Sequence, residues 1–544
     1  MTVGQNEPSA ANLPQRVVIY DTTLRDGCQA EGISFSVEDK LHLARLLDDW
    51  GVAYIEGGWP NETAPRDRQF FQRARNLPLS NAKLVAFGST RRVGLQAEDD
   101  ANLRYLAASG VPTVAIFGKS WTLHVDVVLR TTLEENLRMI EDSVRFLKRR
   151  GLEVVFDAEH FFDGFKADPD YALRTLQAAA DAEADWLVLC DTNGGSLPHE
   201  ILDITAHVAQ EFNLALGIHC HNDAGLAVAN TIMAVRAGAT MVQGTVNGYG
   251  ERTGNADLCA VIPNLQLKLG VKALPDHALQ QLVHISRFVS ELANLPHDHR
   301  APYVGESAFA HKGGAHVNAV LKDPRTFEHI PPDLVGNERR ILVSDYSGTS
   351  TLLHKLSRLW PDLDRNDPLL REVLLHLKRL ENEGLEFEAA EASLELMARR
   401  LREDLPSFFE LLGYRVLVDR RPNEQPYAEA TIRVRLGDRD VHTAAEGTGP
   451  VHALDEALRK AVGEVYPRLK QIRLTDFKVR VLDATKGTAT KVRVLVTASD
   501  GQQEWSTVGA HENIIEASWQ ALVDSVIYGL LKNAGSAAPA QHNP

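Results

Sequence analysis

Residues 16–32 read RVVIYDTTLRDGCQAEG. The opening run is apolar and rich in Val and Ile, as expected of a strand buried on both faces. It ends in Asp21 and passes into a charged loop. Seven more runs of this kind follow, at 53–58 (AYIEGG), 83–88 (KLVAFG), 112–118 (PTVAIFG), 153–159 (EVVFDAE), 185–191 (DWLVLCD), 214–221 (LALGIHCH) and 240–247 (TMVQGTVN). Between them lie stretches such as VEDKLHLARLLDDWG and LEENLRMIEDSVRFLKRRG, apolar at helical spacing and closed by glycine. Eight strand-then-helix units predict an α/β fold, a (β/α)8 barrel over 16–285. An open doubly wound sheet is the competitor, but no dinucleotide glycine fingerprint follows the first strand.

The strand ends are polar: Asp21, Glu56, Glu159, Asp191, His219, His221 and Asn247. In a barrel these ends meet at the C-terminal mouth, where active sites form. His219 and His221 are two apart on a strand and so face the same way, a pair able to bind a divalent metal. The carboxylate ligand is sought in the first loop, where Asp21 precedes two threonines and suits a turn. Asp26 lies past the turn, beside Gly27, where the chain can fold back over the mouth. Arg25 is costly to bury without an anion, such as a substrate carboxylate; a surface pair with Asp26 is the plainer alternative. Glu159 and Thr192 cap the fifth and sixth strands, Gln29 lies close by, and Asn255 can add a neutral oxygen. Mixed N and O ligation with open positions fits Mg²⁺, Mn²⁺ or Zn²⁺. A metal with Arg25 can hold a 2-oxo acid and polarise its ketone for a carbon–carbon bond reaction. Phe117, Trp121 and Phe156 lie near strand ends, as pocket walls or as ordinary packing.

Residues 286–425 read as helical accessory segments and a linker, interrupted at 300–350 by glycine, proline and histidine, with one long connector helix over LENEGLEFEAAEASLELMARRLRED. From 426 to 532 a strand–strand–helix pattern occurs twice, each second strand ending in glycine (Gly447 and Gly449; Gly509), which predicts a duplicated ββα domain. The segments 1–15 and 533–544 read as disordered. A net charge of −15 argues against nucleic acid or an anionic membrane as partner. Four scattered cysteines fit a reducing cytosol, the first residues carry no export pattern, and no apolar run approaches a membrane span of roughly 20 residues.

LRDGCQAEG, HCHND and NGYGERTGNADL together resemble the barrel metalloenzymes that include 2-isopropylmalate, homocitrate and citramalate synthases and the hydroxymethylglutaryl-CoA lyases. FAHKGGAHVNAVLKDP with DLVGNERR is similar to the synthases' accessory subdomain, and TGPVHALDEALRKAV with VGAHENIIEASWQALVDS to their regulatory domain. The resemblance spans 16–532. Within the family, IEGGWP, FGSTRR, IFGKSWTLHV, DAEHFFDGFK and LCDTNGG are most similar to the citramalate synthases, acyltransferases that condense pyruvate with acetyl-CoA toward isoleucine. The resemblance implies that Arg25 binds and polarises the oxo acid and that Asp26, His219 and His221 hold the metal, with Asn255 as a further contact. It implies Thr192 at the oxo-acid carboxylate, Glu159 beside the substrate, and His316 in proton transfer from acetyl-CoA or thioester hydrolysis. It further implies a cytoplasmic homodimer inhibited by isoleucine or, as second choice, leucine. The chain departs from the pattern at NETAPRD after GGWP, at Asn318 where many synthases have aspartate, and at Phe327 where many have tyrosine. The rivals are synthases for 2-oxoisovalerate or 2-oxoglutarate, a lyase (which would lack the C-terminal domain), and a non-catalytic amino-acid sensor.

Overall fold

The computed structural model describes residues 13–420, 422, 425–482 and 490–534. Residues 1–12 and 535–544, most of the segments expected to be disordered, lie outside the described residues. The chain divides into two units, one built from residues up to Phe309 with Ile330–Arg339, the other from Ala310–His329 and Arg340 onward.

The first unit is a closed parallel barrel of eight strands in sequence order. They are β1 (Val18–Asp21), β2 (Tyr54–Gly58), β3 (Lys83–Ser89), β4 (Thr113–Lys119), β5 (Glu153–Glu159), β6 (Trp186–Asp191), β7 (Leu216–Cys220) and β8 (Met241–Gly244). β8 closes on β1 with Ile19 opposite Val242 and Tyr20 opposite Gln243. Six of the eight expected runs contain their strand, and β3 and β4 extend one residue beyond theirs. Helices such as Val37–Trp50 return the chain; this one starts at a Ser36–Asp39 capping box and stops at Gly51, which takes the left-handed φ of 98°. The apolar residues divide by alternation. One set packs between sheet and helices, and Tyr20, Tyr54, Val85, Phe87, Ala115, Val155, Val188, Cys190 and Met241 fill the barrel interior.

β2 departs from regular pairing. Glu56 pairs with Val85 and Gly58 with Ala86, so Gly57 is an extra, bulged residue. A Cβ on Gly57 would lie 2.2 Å from Phe70 Cε1. Gly58 has a φ of 150°, and a Cβ there would meet the Asp67 carboxylate. The bulge re-aims the chain so that Trp59, as well as Glu56, faces the mouth.

In the second unit, β9 (Ala310–His311) and β10 (Arg340–Ile341) form a small parallel pair. Helices follow, of which Pro368–Asn382 and Glu391–Leu401 replace the single expected connector. Gly384, with φ 109°, breaks that helix between them. The C-terminal region is duplicated as expected, but each repeat carries a third, leading strand. One sheet is β11 (Glu410–Asp419), β12 (Tyr427–Leu436) and β13 (Arg439–Gly447), followed by the helix Pro450–Val462. The other is β14 (Arg473–Val481), β15 (Val492–Ser499) and β16 (Glu504–His511), followed by the helix Ile514–Ala534.

That last helix corrects one expectation: Ile514–Lys532 is long and apolar enough, by length and composition, to cross a membrane. Half of this window is buried in protein. Ala517 and Ala521 pack under β15, and Thr507 of β16 donates its hydroxyl to the Ala521 carbonyl. The apolarity is that of a core helix. All four cysteines are free.

Candidate active site

Asp21, the last residue of β1, accepts hydrogen bonds from Thr23 N and Thr23 Oγ1, each at 2.9 Å, and so shapes the turn. The chain then bends through a short 3-10 turn, Gly27–Gln29, which returns Arg25, Asp26 and Gln29 to the mouth. Gly27 was expected to permit this bend. Its φ is not left-handed, however, and a Cβ would rest at an ordinary 3.6 Å from Thr23 Cγ2.

A cavity of about 220 Å³ opens at the strand ends. Arg25, Asp26, Gln29, Glu159, Thr192, His219 and His221 all line it. Asn255 joins through Asp26: its Nδ2 donates to Asp26 Oδ2 at 3.0 Å, and it bridges to the backbone of His221. His316 lies in the second unit, on the helix Gly314–Val320, stacked on Phe327 with ring centroids 4.2 Å apart. Two other polar strand ends serve structure: Asp191 accepts from Ser196, and Asn247 is tied to Ser286 and Ser290. Thr192 Oγ1 accepts from His160 N, and Glu159 is ion-paired with Lys119.

Asp26, His219 and His221 are buried, and one donor atom from each lies within 4.8 Å of the others. His219 Nε2 is 3.2 Å from His221 Nε2 and 3.3 Å from Asp26 Oδ2. Asp26 Oδ1, His221 Nδ1 and Asn255 Oδ1 are buried without a hydrogen-bond partner. Two imidazoles, a carboxylate and an amide oxygen with unsatisfied atoms are a donor set that fits a divalent cation. The charges agree. Burial drives His221 down to about 3, with His219 adding to the effect, so its imidazole is neutral. Burial alone would raise Asp26, but the Arg25 guanidinium and His219 outweigh it and keep the carboxyl ionised.

Several residues were not assigned from sequence. Glu56 is fully buried and holds Arg25 through its Nε, while Tyr20 donates to its other oxygen at 2.7 Å. It was visible as a polar strand end. Burial, reinforced by Glu56, pushes Asp157 up to about 7. Gln243 links Asp157 to His219; its spacing of two from Met241 marks it as inward-facing. The apolar wall is Trp59, Phe87 and Phe117, with Phe87 and Phe117 stacked at 5.6 Å and Trp59 edge-on to both. The Arg25 guanidinium carbon sits 3.7 Å from the Phe87 centroid. Of the aromatics expected at the pocket, Phe117 is there. Phe156 is buried in the layer between sheet and helices, against Gly118, and Trp121 stacks on His124.

The chain matches the HMGL-like family over 16–289, the homocitrate synthase post-HMGL domain-like family over 303–384, and the LeuA allosteric (dimerisation) domain over 388–530. It is 54% identical to the (R)-citramalate synthase of Aquifex aeolicus over 523 residues, covering 96% of this chain and 99% of that one. It is 52% identical to the (R)-citramalate synthase of Geobacter sulfurreducens, covering 95% and 98%. The 2-isopropylmalate synthase of Methanocaldococcus jannaschii is more distant, at 32% identity with 95% of each chain covered. The chain therefore belongs to the HMGL-like family and, within it, to the (R)-citramalate synthases.

Proposed function

We propose that the barrel mouth condenses acetyl-CoA with pyruvate and hydrolyses the thioester, releasing (R)-citramalate and CoA. The observation that carries this reading is one cavity in which Arg25, Asp26, His219 and His221 face the compact aromatic wall of Trp59, Phe87 and Phe117. Asp26, His219 and His221, with the unpaired Oδ1 of Asn255, would hold a divalent cation, Mg²⁺ or Mn²⁺ with Zn²⁺ as alternative. When bound, that cation supplies positive charge which polarises the ketone.

Arg25 is positioned by Glu56 at Nε, by Asp26 near Nη1 and by Phe87 against its face, and its guanidinium lines the cavity, where it presents donors to the oxo-acid oxygens. Gln29 and Thr192 offer donors to the substrate carboxylate, and Glu159, steadied by Lys119, lies beside the substrate. His316 takes the proton-transfer role, an assignment that rests on the resemblance. The acetyl methyl group loses a proton, and its carbon bonds to the ketone carbon. The ketone oxygen gains the electron pair, is stabilised by Arg25, and is then protonated. Water adds to the thioester carbonyl, the C–S bond breaks, and CoA leaves as the thiol.

Thiol release from acetyl-CoA plus pyruvate tests the assignment. Arg25→Ala and His219→Ala should abolish it while circular dichroism stays native; near-normal turnover in either sinks it. A catalytic protein also purifies with, or takes up, a divalent cation, whereas a sensor that kept only the scaffold does not.

We further propose that the LeuA domain binds isoleucine, with leucine as second choice, and that two chains pair through it, in the cytoplasm. We take the barrel as 16–285 and a regulatory domain from 426 to 532; the pairing of β11 with β12 supports extending that domain back to Glu410.

A further inference from the structure

We infer that Gln243 is a positioning residue: it decides which nitrogen of His219 carries the proton and thereby presents the other to a cation. Gln243 is fully buried on β8, where an unengaged amide would be costly. Its Nε2 donates to Asp157 Oδ1 on β5 at 3.1 Å, and its Oε1 lies 2.8 Å from His219 Nδ1 on β7. The amide lies with its nitrogen toward Asp157 and its oxygen toward His219, the orientation an ionised Asp157, which only accepts, enforces. A carbonyl oxygen also only accepts, so the proton of a neutral His219 resides on Nδ1. Nε2 is left with its lone pair, facing the Asn255 Nδ2 donor at 3.2 Å, His221 Nε2 at 3.2 Å and Asp26 Oδ2 at 3.3 Å.

The two histidines are therefore unequal. His221 Nδ1 is buried with no partner, so nothing among the described residues orients its ring in this way. His219 is the preset ligand and Gln243 the residue that presets it, a three-residue line across β5, β8 and β7 that ends at the cation site. The inference rests on the reading of Asp26, His219 and His221 as cation ligands and extends it to the residue behind them.

The test is Mn²⁺ binding by the full-length, metal-stripped protein, followed by the electron paramagnetic resonance signal of the free ion. Gln243→Met removes the acceptor at similar volume and should weaken binding by about 10- to 100-fold. Gln243→Glu also loses the bond to Asp157 but keeps an oxygen facing Nδ1, and it should recover most of the affinity. The thermal midpoints of the two metal-free variants should be alike, which separates positioning from general damage. In metal-free protein labelled with ¹⁵N-histidine, at a pH where His219 is neutral, its proton should sit on Nδ1, and Gln243→Met should lose that preference. Equal loss of affinity in both variants overturns the inference, as does parent-like binding by Gln243→Met. If the parent itself binds no Mn²⁺, the ligand reading falls and the inference with it; if only the variants behave unexpectedly, the ligand reading stands.

Discussion

Asp21 and Asp26 lie on one loop and both are buried, but their partners send them in opposite directions. Asp26 has Arg25 and His219 to keep it charged, whereas burial pushes Asp21 up to about 7 against the pull of its Thr23 bonds. In the unfolded chain Asp21 titrates near 3.8, so the native protein holds a proton that the unfolded chain releases. This group therefore weakens stability as pH rises from about 4 to about 7 and adds no slope above that. Asp21→Asn keeps an acceptor for Thr23 N and has nothing to titrate. The stability of the variant relative to the parent, from urea unfolding, should rise across that window by at most about 4 kcal/mol and then level off. A difference flat with pH would reject the reading. The aromatic wall gives a second test at this scale. Phe117→Ala should raise kcat/KM for 2-oxoisovalerate relative to pyruvate by about tenfold or more. Phe156→Ala should leave that ratio alone and cost about 3–5 kcal/mol of stability. An unchanged ratio in Phe117→Ala places the specificity elsewhere. Sequence alone named Phe117 and Phe156 together, because both lie near strand ends; only the register of β4 and β5 separates a pocket face from a packing face. That Asp26, His219 and His221 come together was legible, because the histidines alternate on one strand end and Asp26 follows another. Of the partners of Arg25, Asp26 was legible as its neighbour and pairs with it at 3.5 Å, buried rather than at the surface; Glu56 was not, since it comes from another strand.

At the scale of single elements, the bulge on β2 organises the pocket wall. Lys40, a buried lysine on the helix Val37–Trp50, donates to the Gly57 carbonyl at 2.9 Å and to Asp67 at 2.7 Å. Asp67 in turn accepts from Trp59 N at 2.9 Å, and Asn102 accepts from the Trp59 indole at 2.7 Å. The segment NETAPRD thus supplies the carboxylate that fixes Trp59. Lys40→Met leaves Asp67 without its cation and frees the Gly57 carbonyl. We expect a loss of about 3 kcal/mol in urea unfolding and a higher KM for the oxo acid. If KM holds while stability falls, the clamp serves the fold and not the pocket. The eight strands themselves were readable as continuous valine- and isoleucine-rich runs, but a bulge of one residue leaves no such trace. β11 and β14 were missed for a related reason. Each is an edge strand with few buried side chains, and charged residues break its alternation, as in RLTDFKVRV. The connector helix was overextended because its apolar spacing continues past Gly384.

At the scale of the whole molecule, those missed strands decide where a regulatory domain can be removed. A chain ending at 425, the boundary read from sequence, would keep all ten residues of β11 and delete β12, its only strand partner among the described residues. Leu411, Tyr414 and Val416, which pack on the core of that repeat, would be left uncovered along an open edge. Such a chain should aggregate, and its loss of inhibition would say nothing about an effector. A chain ending after Asp404 divides the molecule better. The helix Glu391–Leu401 keeps Leu394, Met397 and Ala398 in the helical cluster with Trp360 and Val373. Asp404 retains its bond from the Trp360 indole at 2.8 Å and its pair with Arg399. The losses include the cover over Ala392, the bond from Val508 N to Ser393, the Arg493–Glu386 pair, and Tyr528 and Asp524 as partners of Glu395 and Arg400. The expected outcome is a soluble protein that still releases CoA from acetyl-CoA and pyruvate but no longer responds to isoleucine. Inhibition by isoleucine that survives in this shortened chain would place the effector site outside the two βββα repeats. A full-length protein that isoleucine never inhibits, while leucine does, would keep the domain's role and exchange the ligand.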